Sequence, residues 1–291
     1  GHILHNLGEL ERAESSARKA IEIDPVLATA HLNLGNILRD LGKLKDAEIS
    51  FCKAIKLSPD WKSYYAYASC LYKYKKFNEA KKNLKQADFL SNKLDQKNLI
   101  EAAIKSVDLK DKKEDIKKFT RLILHRPVEK ELISYLYSLK NKQLNLTTDA
   151  RYGNGLCSKD FELFQSSSPI IKKLSKELRN ICKEALGIKD IFFAGTFFNI
   201  FVSGSGATPH SHLKVIDKEF NLSLNKYSLV YYLDVGDQSG LDPGILNLYE
   251  PPEEILPTNG MIIIIKANKT HSVSYHGSKD RVMVGLNFYG F

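Results

Sequence analysis

The residues best suited to chemistry are histidines near the end of the chain. His210-Ser211-His212 sets two imidazoles two positions apart in a stretch read as a strand, Thr208 to Lys214. Side chains alternate across a strand, so both rings are expected on one face. His271 follows just after the apolar strand Met261 to Ile265. Two ligands from one strand and a third from a distant one make a facial set with open coordination positions. Neutral imidazole suits iron, copper, nickel or zinc, so residue type alone does not choose the metal. His276, beside Gly277, reads as a residue of the rim loop.

The elements that must hold these side chains follow from periodicity. After Ile191 the hydrophobic period becomes two, and β-branched and aromatic residues dominate. Strands are expected at Phe192 to Val202, Thr208 to Lys214, Tyr227 to Val235, Gly244 to Tyr249, Gly260 to Lys266, His271 to Tyr275 and Arg281 to Tyr289. Between them stand turn signals: Ser203-Gly204-Ser205-Gly206, Asp242-Pro243-Gly244, Pro251-Pro252, Asn259-Gly260 and His276-Gly277. Amphipathic helices are expected at Val128 to Lys140 and Pro169 to Leu186, with a loop rich in Gly, Asn and Ser between them (Thr147 to Ser168). Many short strands preceded by packing helices point to a double-stranded β-helix, or jelly roll.

The first third obeys a different rule. Gly8, Ala13, Ala20 and Pro25 recur as Gly42, Ala47, Ala54 and Pro59, each 34 residues on. Small residues at Gly35, Ala47 and Ala54 let antiparallel helices approach, while Leu34, Leu38 and Phe51 fill the seam at helical spacing. Asp24-Pro25 and Ser58-Pro59 separate successive helices, because proline cannot continue a helix but suits its first turn. A third copy runs through Tyr64, Tyr67-Ala68, Leu71, Ala80, Leu84 and Ala87, and a helix near Asp95 to Lys110 is expected to cap the array.

This pattern resembles the tetratricopeptide repeat. The resemblance implies a concave surface for a protein or peptide. Gly1 aligns with Gly35, so the first repeat reads as truncated, in a fragment whose parent carries more repeats upstream. The expected organisation is α+β: all-α tetratricopeptide repeats over 1–92, a capping helix and linker over 93–118, and a jelly roll with supporting helices over 119–291.

Composition narrows the function classes. At 43% hydrophobic and 26% charged residues, the chain is neither wholly disordered nor fibrous. The apolar run Met261 to Ile265 is far short of the ~20 residues that span a bilayer, and no secretory signal opens the chain. Cys52, Cys70, Cys157 and Cys182 form no CxxC pair and read as reduced thiols of a cytoplasmic protein. The net charge of +9 is concentrated between Leu71 and Lys118, where fourteen Lys face eight acidic residues. Arg is scarce there and no RNA-binding signature accompanies it, so a solvated helical face is expected and nucleic acid is not.

From Ile191 onward the order of motifs resembles the Fe(II)- and 2-oxoglutarate-dependent oxygenases, in the branch near the prolyl hydroxylases. The elements are His210-Ser211-His212, Tyr231-Tyr232-Leu233, Gly260 before the apolar strand, His271 and Arg281. The resemblance implies that His210 and His271 bind the metal. It implies that Arg281 pairs with the far carboxylate of 2-oxoglutarate and that Tyr232 hydrogen-bonds the same group. Asn199, on the strand before the glycine loop, is expected to reach the cofactor, and the segment Asp217 to Asn225 is expected to close over the substrate. Two positions depart from the family: Met283 stands where a serine is common, and His212 where an acidic residue is expected. Three outcomes follow for His212: a three-histidine metal site, a two-histidine site completed by water, or an inactive site kept for binding. The function implied is hydroxylation of a protein or peptide brought in by the repeats. Two alternatives stay open: a repeat-based binding module with a degenerate oxygenase domain, and a three-histidine dioxygenase that does not use 2-oxoglutarate.

Overall fold

The computed structural model describes residues 4–5, 8–109, 119–139, 141–144, 155–158, 160 and 162–291. The chain divides into two compact units, residues 1–113 and 114–291.

Among the described residues the first unit contains the helices α1 (Leu10–Ile23), α2 (Ala28–Asp40), α3 (Leu44–Leu57), α4 (Trp61–Lys73), α5 (Phe77–Leu90) and α6 (Leu94–Leu109). Its seam is the one the 34-residue register marks. Ala13, Ala17, Leu34, Ile37, Leu38, Ala47, Phe51, Ala66 and Cys70 form one buried cluster. The Phe51 ring lies against Gly35 so closely that a Cβ there would come within 2.7 Å of it. That contact is why position 35 carries no side chain. Ala68, Leu71, Ala80, Leu84 and Ala87 repeat the scheme one copy later. Asp60 caps α4 by accepting the Ser63 backbone N–H at 2.7 Å, satisfying one of the amides a helix start leaves unpaired. On α6, Leu99, Ile100, Ala102, Ala103 and Val107 are buried.

The second unit is layered. Seven antiparallel strands lie in the order β1-β9-β6-β11-β4-β3-β2, and four in the order β5-β10-β7-β8. Their bounds are β1 (Leu122–His125), β2 (Asn141–Leu144), β3 (Gly155–Ser158), β4 (Ile191–Phe201), β5 (Ser205–His210), β6 (Lys226–Asp234), β7 (Pro243–Leu248), β8 (Glu253–Ile255), β9 (Met261–Lys266), β10 (His271–Tyr275) and β11 (Arg281–Gly290). Two helices, α7 (Lys130–Ser138) and α8 (Pro169–Leu186), cover one face of the larger sheet. Alternation along the central strands sorts their side chains. Val282, Val284 and Leu286 of β11 and Tyr231 of β6 join Leu132, Leu136, Ile171, Leu174 and Leu178 on the helical side. Tyr232 and Met283 point the other way, into a cluster with Leu246, Leu248 and Tyr275 of the smaller sheet. This is the expected double-stranded β-helix.

Several expectations change. The strand expected over Thr208 to Lys214 ends at His210, so His212 lies outside it. β1 forms where no strand was expected, as an edge paired to β9 from Leu122↔Ile264 to His125↔Met261. β3 forms within the segment read as the loop Thr147 to Ser168, paired to β4 through Leu156↔Ile200; residues 147–154 of that loop lie outside the described residues. The segment Asp217 to Asn225 is a kinked 3₁₀ stretch, Val215–Asn225, with Asp217, Phe220 and Leu222 fully or almost fully buried. Those three anchors hold it down, so it is not a lid.

Among the described residues no helix is long and apolar enough to cross a membrane. The four cysteines are free thiols, and only Cys52 is exposed.

Candidate metal centre

Two strand ends and one loop converge on the site. β5 and β10 pair antiparallel, and His210 stands directly opposite His271 in that register. Cross-strand partners share a face, which brings the two rings to 4.4 Å between centroids. His212 arrives from the segment after β5. Its backbone N–H donates to Ala267 O at 2.8 Å, and its ring centroid lies 5.0 Å from each of the other two. The three rings offer nitrogens that all lie within 4.8 Å of one another.

Hydrogen bonds set the tautomers. His210 Nδ1 donates to Thr208 O at 2.8 Å, and His271 Nδ1 donates to Lys269 O at 3.1 Å. A carbonyl oxygen can only accept, so in both neutral rings Nε2 is the unprotonated nitrogen. Backbone carbonyls that orient ligand rings in this way are the usual outer partners of metal-binding histidine. His271 is buried, and burial, then the adjacent His210, pushes its pKa down to about 4, so the ring is neutral near pH 7. His212 Nε2 lies 3.3 Å from His271 Nε2. Two nitrogens bound at about 2.0–2.1 Å to one ion, at octahedral to tetrahedral angles, lie roughly 2.8–3.4 Å apart. In donor type the three residues fit a divalent first-row metal, as do the tautomers of His210 and His271 and the spacing of His212 from His271.

Buried polar groups also stand on the inter-sheet side of the larger sheet. Arg281 is fully buried at the start of β11, and its register partner Phe201 belongs to the cluster between the sheets. Nε donates to Val235 O at 3.2 Å, and the two terminal nitrogens donate to Gly244 O at 2.6 Å and Pro243 O at 2.7 Å. The guanidinium lies 4.6 Å from the Tyr275 ring centroid and 5.8 Å from that of Tyr232. Gly244, at φ +80°, leaves room for it; a Cβ there would come within 2.0 Å of the guanidinium. Among the described residues no carboxylate pairs with this cation, and burial lowers its pKa. Three of its five N–H groups are used.

Tyr232 is buried beside it, with burial holding its hydroxyl pKa up at about 12, so the group is a donor at any ordinary pH. Asn199 is opposite Met283, which is opposite Tyr232, so the three share the inter-sheet face. Asn199 Oδ1 and Ser205 Oγ are buried without a hydrogen-bond partner among the described residues. Buried polar atoms of this kind cost about 1–3 kcal/mol unless something satisfies them. His271 opens β10 and Tyr275 closes it, so the imidazoles and the guanidinium stand toward opposite ends of one strand, about 13 Å of extended chain apart.

The three imidazoles thus cluster at the end of β5 and the start of β10, while Arg281, Tyr232 and Asn199 stand on the inter-sheet side of the larger sheet. The expectation that both HxH rings project from one strand is corrected: the strand ends at His210, and His212 is aimed by backbone bonds instead of by alternation. Tyr231, a neighbour that could have replaced Tyr232, faces the helices and hydrogen-bonds Pro127 O at 2.9 Å. His276 is exposed at the rim, 3.0 Å from Asp242. Ser205 and Gly244 escaped the sequence reading, although each stands in a recognised turn signal.

Comparison with known proteins gives the following. No curated protein matches the chain in sequence. An oxidoreductase of the 2OG-Fe(II) oxygenase family from Burkholderia pseudomallei superimposes with a TM-score of 0.43 at 14% identity, over 65% of this chain and 90% of its own. A prolyl hydroxylase from Trichoplax adhaerens, solved with a peptide fragment of the hypoxia inducible factor oxygen degradation domain, gives 0.44 at 17% identity, over 69% and 95%. YrrB, described as a TPR protein with an unusual peptide-binding site, gives 0.32 at 25% identity, over 37% and 56%. At these scores the reading of the site rests on its own geometry. The family model for the tetratricopeptide repeat matches residues 1–26 and 28–60, so the first helices described above are tetratricopeptide repeats.

Proposed function

We propose that this chain is an iron(II)- and 2-oxoglutarate-dependent oxygenase of the hydroxylase type, with a protein or peptide as substrate. One observation carries the reading. Three imidazoles placed for a metal lie in the same unit as a fully buried guanidinium that has no acidic partner among the described residues. A dicarboxylate with one end on the metal would supply the missing anion, and a bidentate guanidinium–carboxylate pair is the strong form of such contact.

In this reading His210, His212 and His271 hold the metal. Arg281 binds the far carboxylate, and the Tyr232 hydroxyl donates to the same group. Asn199 lies near enough to accept or donate to the cofactor. Iron and 2-oxoglutarate together would supply the activation of dioxygen, with 2-oxoglutarate as the electron donor. The chain's own task is to orient these partners and to exclude water with Leu246, Leu248, Ile263 and Met283. The tetratricopeptide repeats would recruit the protein or peptide.

The all-histidine donor set favours a second reading, a dioxygenase that does not use 2-oxoglutarate. Purified protein given iron(II), 2-oxoglutarate and dioxygen separates the two. The oxygenase reading expects succinate, and expects none after His271→Ala. Oxygen uptake that is independent of 2-oxoglutarate would favour the second reading; neither activity would leave a binding module.

A further inference from the structure

We propose that Lys226 is a positioning residue that, with Asp217, fixes His212 as the third metal ligand. The inference rests on the reading of His212 as a ligand. Because β5 ends at His210, no strand ladder aims His212. A closed ring of bonds does so instead. His212 N–H donates to Ala267 O at 2.8 Å, Ala267 N–H donates to Lys226 O at 3.0 Å, and Lys226 Nζ donates to His212 O at 3.0 Å. The backbone N–H and C=O of His212 are therefore both held, by Ala267 just past the end of β9 and by Lys226 at the start of β6.

The ammonium that closes the ring is almost wholly buried, at 1% exposure, and Asp217, its partner at 2.7 Å, is fully buried. Asp217 in turn accepts from Tyr289 OH on β11 at 2.6 Å and from Lys214 N–H at 2.6 Å. Replacing a buried ion pair with apolar side chains is often neutral or stabilising, so stability alone does not call for one here. A long cation reaching one carbonyl, with its own charge neutralised from behind, does what an apolar residue cannot. It fixes the backbone that carries His212, the third corner of the proposed ligand set.

The test uses cobalt(II) alone as probe, titrated calorimetrically into the full chain. Lys226→Met should weaken cobalt binding roughly tenfold to a hundredfold, the usual effect of removing an outer partner of a metal ligand. Lys226→Met with Asp217→Asn removes the uncompensated carboxylate while keeping an acceptor for Tyr289 and Lys214. It should recover stability in thermal melts but not cobalt affinity. In a His212→Ala background Lys226→Met should cost nothing further, since it acts through His212. Parent-like affinity in the double variant, or an undiminished loss in the His212→Ala background, overturns the proposal. If His212→Ala itself binds cobalt like the parent, or the parent binds none, the underlying reading of the site fails instead, and this inference with it.

Discussion

Two buried arginines lie on opposite faces of the larger sheet, and they are satisfied in opposite ways. Arg126, just after β1 on the helical side, is 6% exposed and bonds Glu129 and Glu177, with Tyr231 OH at 2.8 Å. Arg281, on the inter-sheet side, meets only carbonyls and aromatic rings among the described residues. The same division runs through the neighbouring tyrosines: Tyr231 is held by Pro127 O, whereas Tyr232 stands beside the uncompensated cation. A folded chain keeps an unpaired buried charge at a cost, so such a charge marks where a ligand completes the structure. The paired arginine binds β1 to α7 and α8. In the proposed reading the unpaired one takes the anion.

Exchanging each arginine for methionine gives the largest expected contrast. Arg281→Met should weaken 2-oxoglutarate binding to the metal-loaded protein by about 3–5 kcal/mol, the penalty for breaking a buried ion pair, and leave metal affinity nearly intact. Without ligand it should melt no lower than the parent, because it removes a buried charge. Arg126→Met should do the reverse: stability falls by about 1–3 kcal/mol, discounted because Glu129 and Glu177 are partly exposed, and cofactor binding holds. Calorimetry and thermal melts on both variants decide it. Equal losses of stability would erase the distinction.

The tyrosines offer a smaller version. Tyr231→Phe removes hydrogen bonds to Arg126 and Pro127 and should cost about 1 kcal/mol of stability without touching the cofactor. Tyr232→Phe should leave the melting temperature in place and weaken 2-oxoglutarate binding by about 1 kcal/mol. If Tyr231→Phe is the one that weakens binding, the assignment of faces is wrong.

The contrast also explains what the sequence reveals. Period and punctuation are local, so the repeat register, α8 and the strand His271 to Tyr275 are legible from residues alone. Tyr231 and Tyr232 separate by alternation once a strand is assumed. β1 and β3 are not legible, because four-residue strands such as Leu-Ile-Leu-His and Gly-Leu-Cys-Ser depend on pairing with β9 and β4, which are distant in sequence. The site's residue types can be read, but the aim of His212 cannot, since it depends on Lys226 and Ala267. Asp217 misled for the same reason: a charge in a polar segment looks solvated until its buried partner is known.

The smallest expected effect is one of pH. The Arg126 guanidinium holds the Glu129 carboxyl down at about 2. A carboxyl whose folded pKa is depressed contributes stability that is fully present above its unfolded value, about 4.3, and is lost as pH falls through the folded one. The parent should therefore lose stability between about pH 5 and pH 2, where the unfolded chain binds the proton first. Arg126→Met takes away the cause of the shift, so this limb should flatten. Arg281→Met should keep it, because no depressed carboxyl depends on Arg281. Glu129 is 28% exposed, so water screens part of the interaction, and the difference between the two variants should be about 1 kcal/mol or less. Denaturant unfolding at intervals from pH 6 to pH 2 would measure it. An acid limb that flattens in Arg281→Met would mean that an acidic group pairs with Arg281 after all, and that the guanidinium is not held for a ligand.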